Sequence, residues 1–197
     1  MVLTHQMVGA SVLLLDTSDF VTRAGAGDGT KLVAVMVAGA HFLGSIVALF
    51  LTDSIGRRAQ LLTGLGGLGI IGATAGVLLA TEAGLASTAT CLYIYVGIFQ
   101  CFFSPMFYCV ITEIFPVDLR ATAISLAFSS LFVFTFVINL VYNVLRDATI
   151  IHGTNNEASW FFLFSLTAIT SWCVLHDEKT LPETKGMSLF DAEALWR

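Results

Sequence analysis

Residues 89–120 read ATCLYIYVGIFQCFFSPMFYCVITEIFPVDLR, and this stretch decides the fold. The run 89–111 contains no Asp, Glu, Lys or Arg. It also has the length, about 20 apolar residues, that a helix needs to cross the hydrocarbon core of a bilayer. Gln100, Ser104, Tyr108 and Thr112 recur every fourth residue, which stacks them along one side of an uninterrupted helix. Pro105 falls inside that stripe; it supplies no backbone N–H and favours a kink. A kinked helix with a polar stripe suits the lining of a solute path. The alternative is a static bundle in which neighbouring helices satisfy the stripe.

Runs of the same kind lie on both sides, at about 1–15, 32–52, 59–80, 121–145 and 159–176. The first is short by about a turn, and the last is marginal in length. Six spans are therefore expected, forming a bundle over 1–176, with a tail at 177–197. The composition agrees. Of the 197 residues 56% are hydrophobic and 12% charged, whereas a soluble domain carries about 25% charged residues. Too little polar surface exists to cover a soluble fold, so the expected solvent is lipid.

Charge orients the bundle. Arg57, Arg58, Arg120, Lys179, Lys185 and Arg197 fall on one side of the alternating spans, and Arg23, Lys31 and Arg146 on the other. The richer side is expected in the cytosol by the positive-inside rule, which puts both termini there. A net charge of −5 without a Lys/Arg run gives nucleic-acid binding no support. Cys91, Cys101, Cys109 and Cys173 lie in or beside apolar segments with no Cys-x-x-Cys spacing, which fits small apolar packing groups rather than a metal site.

The polar residues inside the spans mark candidate inward faces. Thr4, His5, Gln6 and Ser11 lie in the first span, and His41 and Ser45 in the second, one helical turn apart. Ser125, Ser129, Thr135, Asn139 and Asn143 lie in the fifth; Asn139 and Asn143 are placed to gate, or to bond each other. No charged residue sits near the middle of a span, so the expected solute is neutral and polar, a sugar or polyol. Gln6, His41, Gln100 and Tyr108 are the candidate solute contacts. The glycines of the third span, among them Gly72-x-x-x-Gly76, read as close helix packing. With no acid–base or metal constellation in the spans, an intramembrane enzyme is not expected, and no cofactor is implied.

Three polar segments at the cytosolic side are more specific. They are Asp53-Ser-Ile-Gly56-Arg57-Arg58, Thr112-Glu113-Ile-Phe-Pro116-Val-Asp-Leu-Arg120 and Leu181-Pro182-Glu183-Thr184-Lys185-Gly186. Their order and spacing resemble the second half of the sugar porter family of the major facilitator superfamily, which includes the facilitative hexose transporters. The resemblance covers nearly the whole chain. It implies an all-α membrane protein, the six-helix C-terminal half-bundle of the major facilitator fold, with solute held between two halves near the midplane. It also implies that Asp53, Gly56, Arg57, Arg58, Glu113, Arg120 and Glu183 belong to a cytosolic gating network that two conformations satisfy differently.

At the solute site the resemblance is patchier. The family's Gln-Gln-x-x-Gly-x-Asn reads His5-Gln6-Met-Val-Gly9-Ala-Ser11, with Gln6 and Gly9 matching. His41 and Leu131 stand at Asn positions, Gln100 where hexose transporters often carry Glu, and Tyr108 at a Trp position. The gating frame is kept better than the sugar contacts. The resemblance therefore leaves two readings. One is a carrier of a neutral polar solute working by alternating access, with an N-terminal six-helix half or a second copy as partner and the plasma membrane as its place. The other is a non-transporting membrane protein: a truncated paralogue, or a regulator that docks on a full-length transporter. The tail after Gly186 carries Ser188-x-x-Asp191, a capping-box pattern for a short helix whose Leu189, Phe190, Leu195 and Trp196 suit a membrane surface.

Overall fold

A computed structural model of the chain describes residues 2–15, 30–81, 84–115, 119–151 and 157–177. The described residues are helical almost throughout. Their elements are α1 (Val2–Met7), α2 (Ala10–Leu15), α3 (Thr30–Ile55), α4 (Arg57–Ala80), α5 (Leu85–Ile98), α6 (Ser104–Ile114), α7 (Arg120–Ile151) and α8 (Glu157–Leu175), with a π-turn at Phe99–Phe103 joining α5 to α6. Helix is the expected answer for apolar sequence in lipid, because it satisfies every backbone N–H and C=O within the segment. Among the described residues five stretches are long and apolar enough to cross a membrane: Lys31–Thr52, Arg57–Ala80, Ala86–Glu113, Arg120–Leu145 and Ala158–Leu175.

The first expected span, 1–15, is not one helix. It is two six-residue helices, α1 and α2, broken at Val8 and Gly9. Gly9 takes φ +81°, and a Cβ there would sit 2.5 Å from the Phe164 ring of α8. Both the backbone conformation and the space call for glycine. The carbonyls at the break find donors on other helices: Tyr95 of α5 donates its hydroxyl to the Val8 carbonyl, and Thr167 of α8 donates to the Met7 carbonyl at 2.9 Å. The apolar run 1–15 carries no sign of this, because a glycine inside such a run reads equally well as helix.

Two further differences concern boundaries. Helix α7 continues to Ile151, past the expected loop start at 146. The turn between the second and third spans shrinks to Gly56 alone, at φ +99°. The tail 177–197, apart from Asp177 itself, lies outside the described residues.

The core forms where α4, α5 and α8 meet, with Leu61, Leu65, Leu68, Leu92, Tyr95 and Phe164 buried in it. The glycine face of α4 seats α8. Ideal Cβ atoms on Gly69, Gly72 and Gly76 would approach Ile169, Ser165 and Phe162 to 2.8, 3.3 and 3.1 Å, and Ser165 donates to the Gly69 carbonyl at 2.6 Å. The packing role expected of these glycines is thus the one the geometry gives them. Helices α3 and α7 instead leave long apolar side chains exposed, among them Leu49, Phe50, Phe132 and Phe136, as suits faces turned to lipid or to another apolar body.

The strain at the break is open to test. Gly9→Ala should destabilise the protein by at least about 1–2 kcal/mol from the left-handed backbone alone, seen as a lower melting temperature in detergent. Gly39→Ala is the control: a Cβ there meets nothing within 4 Å, and the regular helix favours alanine, so the melting temperature should hold or rise.

Candidate functional site

The polar candidates fall into two groups. In the first, Gln6 is buried on α1 and accepts a 2.8 Å bond from the Ser11 hydroxyl of α2, which bridges the helix break. Its neighbour His5 is buried at 6% exposure among Phe99, Phe103, Phe107 and Tyr108, with ring centroids 4.3–5.8 Å away. Tyr108 is the outermost of these at 37% exposure and also stacks on Phe128 of α7. The broken first segment thus faces the bent fourth span, and His5 meets an aromatic wall there.

In the second group, Ser45 of α3 is central. Gln100 donates its side-chain N–H to the Ser45 hydroxyl at 2.8 Å, and Ser45 donates to the His41 carbonyl at 3.0 Å. The approach is close because Gly44 carries no side chain; a Cβ there would lie 3.0 Å from Gln100 Cβ and 3.2 Å from the Gly97 carbonyl oxygen. The His41 ring is half-buried on the same stripe as Ser45. Among the described residues no hydrogen bond links this group to the first.

The expected stripe of Gln100, Ser104, Tyr108 and Thr112 does not survive intact. The Ser104 N–H donates to the Phe99 carbonyl, five residues back, in place of the usual four. That extra residue rotates the remainder of the span by about 100°. Gln100 consequently turns to α3, Ser104 is buried, and Tyr108 and Thr112 are exposed, with Thr112 bonded to the Cys109 carbonyl. The polar series of the fifth span is also self-contained. Ser125, Ser129, Thr135, Asn139 and Asn143 each donate to the carbonyl four residues earlier on α7, so they satisfy their own helix and do not by themselves mark an inward face. The two asparagines bond backbone carbonyls rather than each other's side chains.

Two further residues join the candidates on structural grounds. Among the described residues neither buried ring nitrogen of His5 has a hydrogen-bond partner, a costly state for polar atoms and a reason to place it at the site. Gln60 of α4 is fully buried and donates to the Cys101 carbonyl at 2.9 Å. His5 is visible in the sequence as a polar residue in an apolar run, but its aromatic surroundings come from other helices. Nothing in the sequence connects Gln60 to Cys101.

At one end of the bundle the expected charged residues come together in part. Arg57 Nε lies 3.3 Å from Glu113 Oε1, joining the start of α4 to the end of α6. Arg58 donates to the His176 carbonyl at 2.6 Å, just past the last turn of α8. Arg120 forks onto the Phe115 carbonyl with two bonds of 3.2 Å, closing the link between α6 and α7. Gly56 makes the turn that presents the two arginines. Asp53 sits in the last turn of α3 by its backbone; its side chain and Glu183 lie outside the described residues.

A broken helix and a bent helix thus meet around polar groups, within a bundle of membrane-length helices. Comparison with known proteins gives the family. The profile of the family described as "Sugar (and other) transporter" matches residues 1–196, and the chain belongs to that family. It is a multi-pass integral membrane protein. The "Glucose facilitated diffusion protein" of Zymomonas mobilis is 23% identical over 194 residues, which take in 98% of this chain and 41% of that protein. "Glucose transporter GlcP" of Staphylococcus epidermidis is 28% identical over 196 residues, covering 96% of this chain and 42% of that one. Among solved structures, the proton:xylose symporter XylE bound to 6-bromo-6-deoxy-D-glucose superposes with a TM-score of 0.88 at 21% identity, covering 100% of this chain and 41% of that one; the likeness shows the fold. The chain spans about two fifths of the length of the relatives it matches.

The ion pair gives a measurable expectation. The side chains of Arg57 and Glu113 are 25% and 17% exposed, so solvent screens them. A double-mutant cycle of Arg57→Ala and Glu113→Ala should return a coupling of about 0.5–1 kcal/mol in thermal unfolding, shrinking at high salt.

Proposed function

We propose that this chain forms the C-terminal six-span half-bundle of a carrier that moves a neutral polar solute, a sugar, across a membrane by alternating access. The first of the six spans is the interrupted segment α1–α2, and 177–197 is a cytosolic tail with a short helix. The second half comes from an N-terminal six-span partner or a second copy. The membrane is the plasma membrane, with both termini in the cytosol.

The observation that carries this reading is the meeting of two interrupted helices around His5, Gln6 and Tyr108. Interrupted helices beside polar groups are how membrane carriers build a site at the midplane, since irregular backbone is tolerated only where protein or a wet cavity covers it. The family membership and the glucose and xylose carriers among its relatives support sugar as the solute. Gln6, His41, Gln100 and Tyr108, with His5 added, are the proposed contacts. Neutral amides, an imidazole and a phenol offer hydroxyl groups both donors and acceptors, and an aromatic wall covers the apolar face of a pyranose ring.

The charged end is the proposed latch. Arg57 and Glu113 tie α4 to α6, and Arg58 ties α4 to α8. Helix ends held by such contacts can move as one body and let go together. Asp53, Arg120 and Glu183 complete the latch in the proposal.

The test is uptake of labelled glucose and xylose in a host lacking its own sugar carriers. The host expresses this chain alone, or together with the N-terminal six-span half of a related carrier. Uptake by the pair that is competed by unlabelled sugar is expected. Gln6→Ala should raise the half-saturation concentration about 2–10-fold, the worth of one neutral hydrogen bond. No uptake in either arrangement, with the protein present in the membrane, would overturn the carrier reading.

A further inference from the structure

The bend in the fourth membrane-length segment leaves a backbone debt that another helix meets. In an α-helix the Cys101 carbonyl would accept from the N–H of residue 105, four positions on. That residue is Pro105, which has none. The side chain of Gln60, wholly buried on α4, donates its Nε2–H to that carbonyl at 2.9 Å. The approach is made possible one turn further along α4, where an ideal Cβ on Gly64 would lie 2.9 Å from Phe102 Cβ and 3.1 Å from the Phe103 nitrogen. On its other side the same π-turn is held by α3, through Gln100 on Ser45 and the close contact at Gly44.

We infer that Gln60 is a positioning residue: its amide stands in for the N–H that Pro105 lacks and so fixes the bend of the π-turn that aims Gln100 and Tyr108. Among the described residues the buried Gln60 side-chain oxygen has no hydrogen-bond partner, so the residue sits there at a cost that simple packing does not explain. A leucine or methionine would fill the same space without it. What keeps a glutamine is the donor. The effect on transport rests on the carrier reading, but the clasp itself stands on geometry and is tested apart from transport.

The experiment is a double-mutant cycle on the full chain in detergent: Gln60→Met, Pro105→Ala and the pair. Gln60→Met removes the donor at nearly constant volume, and should lower the melting temperature while the proline is in place. Pro105→Ala supplies a backbone N–H, so adding Gln60→Met to that variant should cost at most a small part of the same shift. An equal loss in both backgrounds, or none in either, would overturn the clasp. If Gln60→Met fails to accumulate, recovery of folded protein by adding Pro105→Ala supports the clasp, and failure to recover counts against it.

Where the carrier assay gives uptake, a second readout applies. Gln60→Met should raise the half-saturation concentration several-fold, since the bend it fixes aims Gln100 and Tyr108, and adding it to Pro105→Ala should have little further effect. Unchanged half-saturation, or an equal rise in both backgrounds, would overturn the positioning role. Loss of all uptake in the parent protein would instead sink the carrier reading, leaving the clasp to be judged on the cycle.

Discussion

A backbone carbonyl released inside a bilayer-spanning bundle must find a donor, and this constraint organises the structure. Water is absent from the hydrocarbon core, and each unsatisfied group costs several kcal/mol. Among the described residues the apolar spans are interrupted at Gly9 and at the π-turn before Pro105. In both places the released carbonyls are met by side chains from elsewhere: Tyr95 and Thr167 at the first break, Gln60 at the second. The donors lie on α4, α5 and α8, so each interruption ties separate helices to one another.

The rest of the packing depends on what those ties leave free. Helix α8 lies in the glycine trough of α4, close enough for Ser165 to reach the Gly69 carbonyl. Helix α3 approaches the π-turn at Gly44. By contrast, the hydroxyls and amides of α7 bond back to their own helix, and its apolar side chains are turned outward. Such a helix adds apolar surface to the bundle, and it meets its neighbours through rings, Phe128 on Tyr108 and Tyr142 on Trp160.

The proposed site draws its character from the same interruptions. A continuous first helix would present His5 and Gln6 on its regular face, and Ser11 would not reach back to the Gln6 side chain as it does across the break. A continuous fourth span would align Gln100 with Tyr108. The π-turn instead sends Gln100 to α3 and leaves Tyr108 near His5. Breaking helices is expensive in lipid, and these breaks fall where polar side chains gather, the usual sign that irregular backbone serves a site.

The sequence by itself determined the solvent, the helices and the family. Apolar runs of membrane length, charges confined to their ends, and three motifs in order at 53–58, 112–120 and 181–186 depend only on local chemistry and spacing. It also determined that Pro105 withholds a donor. Only the tertiary structure decided that 1–15 breaks at Gly9, that Gln100 is rotated away from the stripe that runs on to Thr112, that Arg57 meets Glu113, and that Arg58 and Arg120 reach the carbonyls of His176 and Phe115. The physical reason is common to all of these. A glycine or proline in an apolar run permits an interruption, but whether the chain adopts it depends on donors held by helices distant in sequence. Periodicity within one helix carries no information about them.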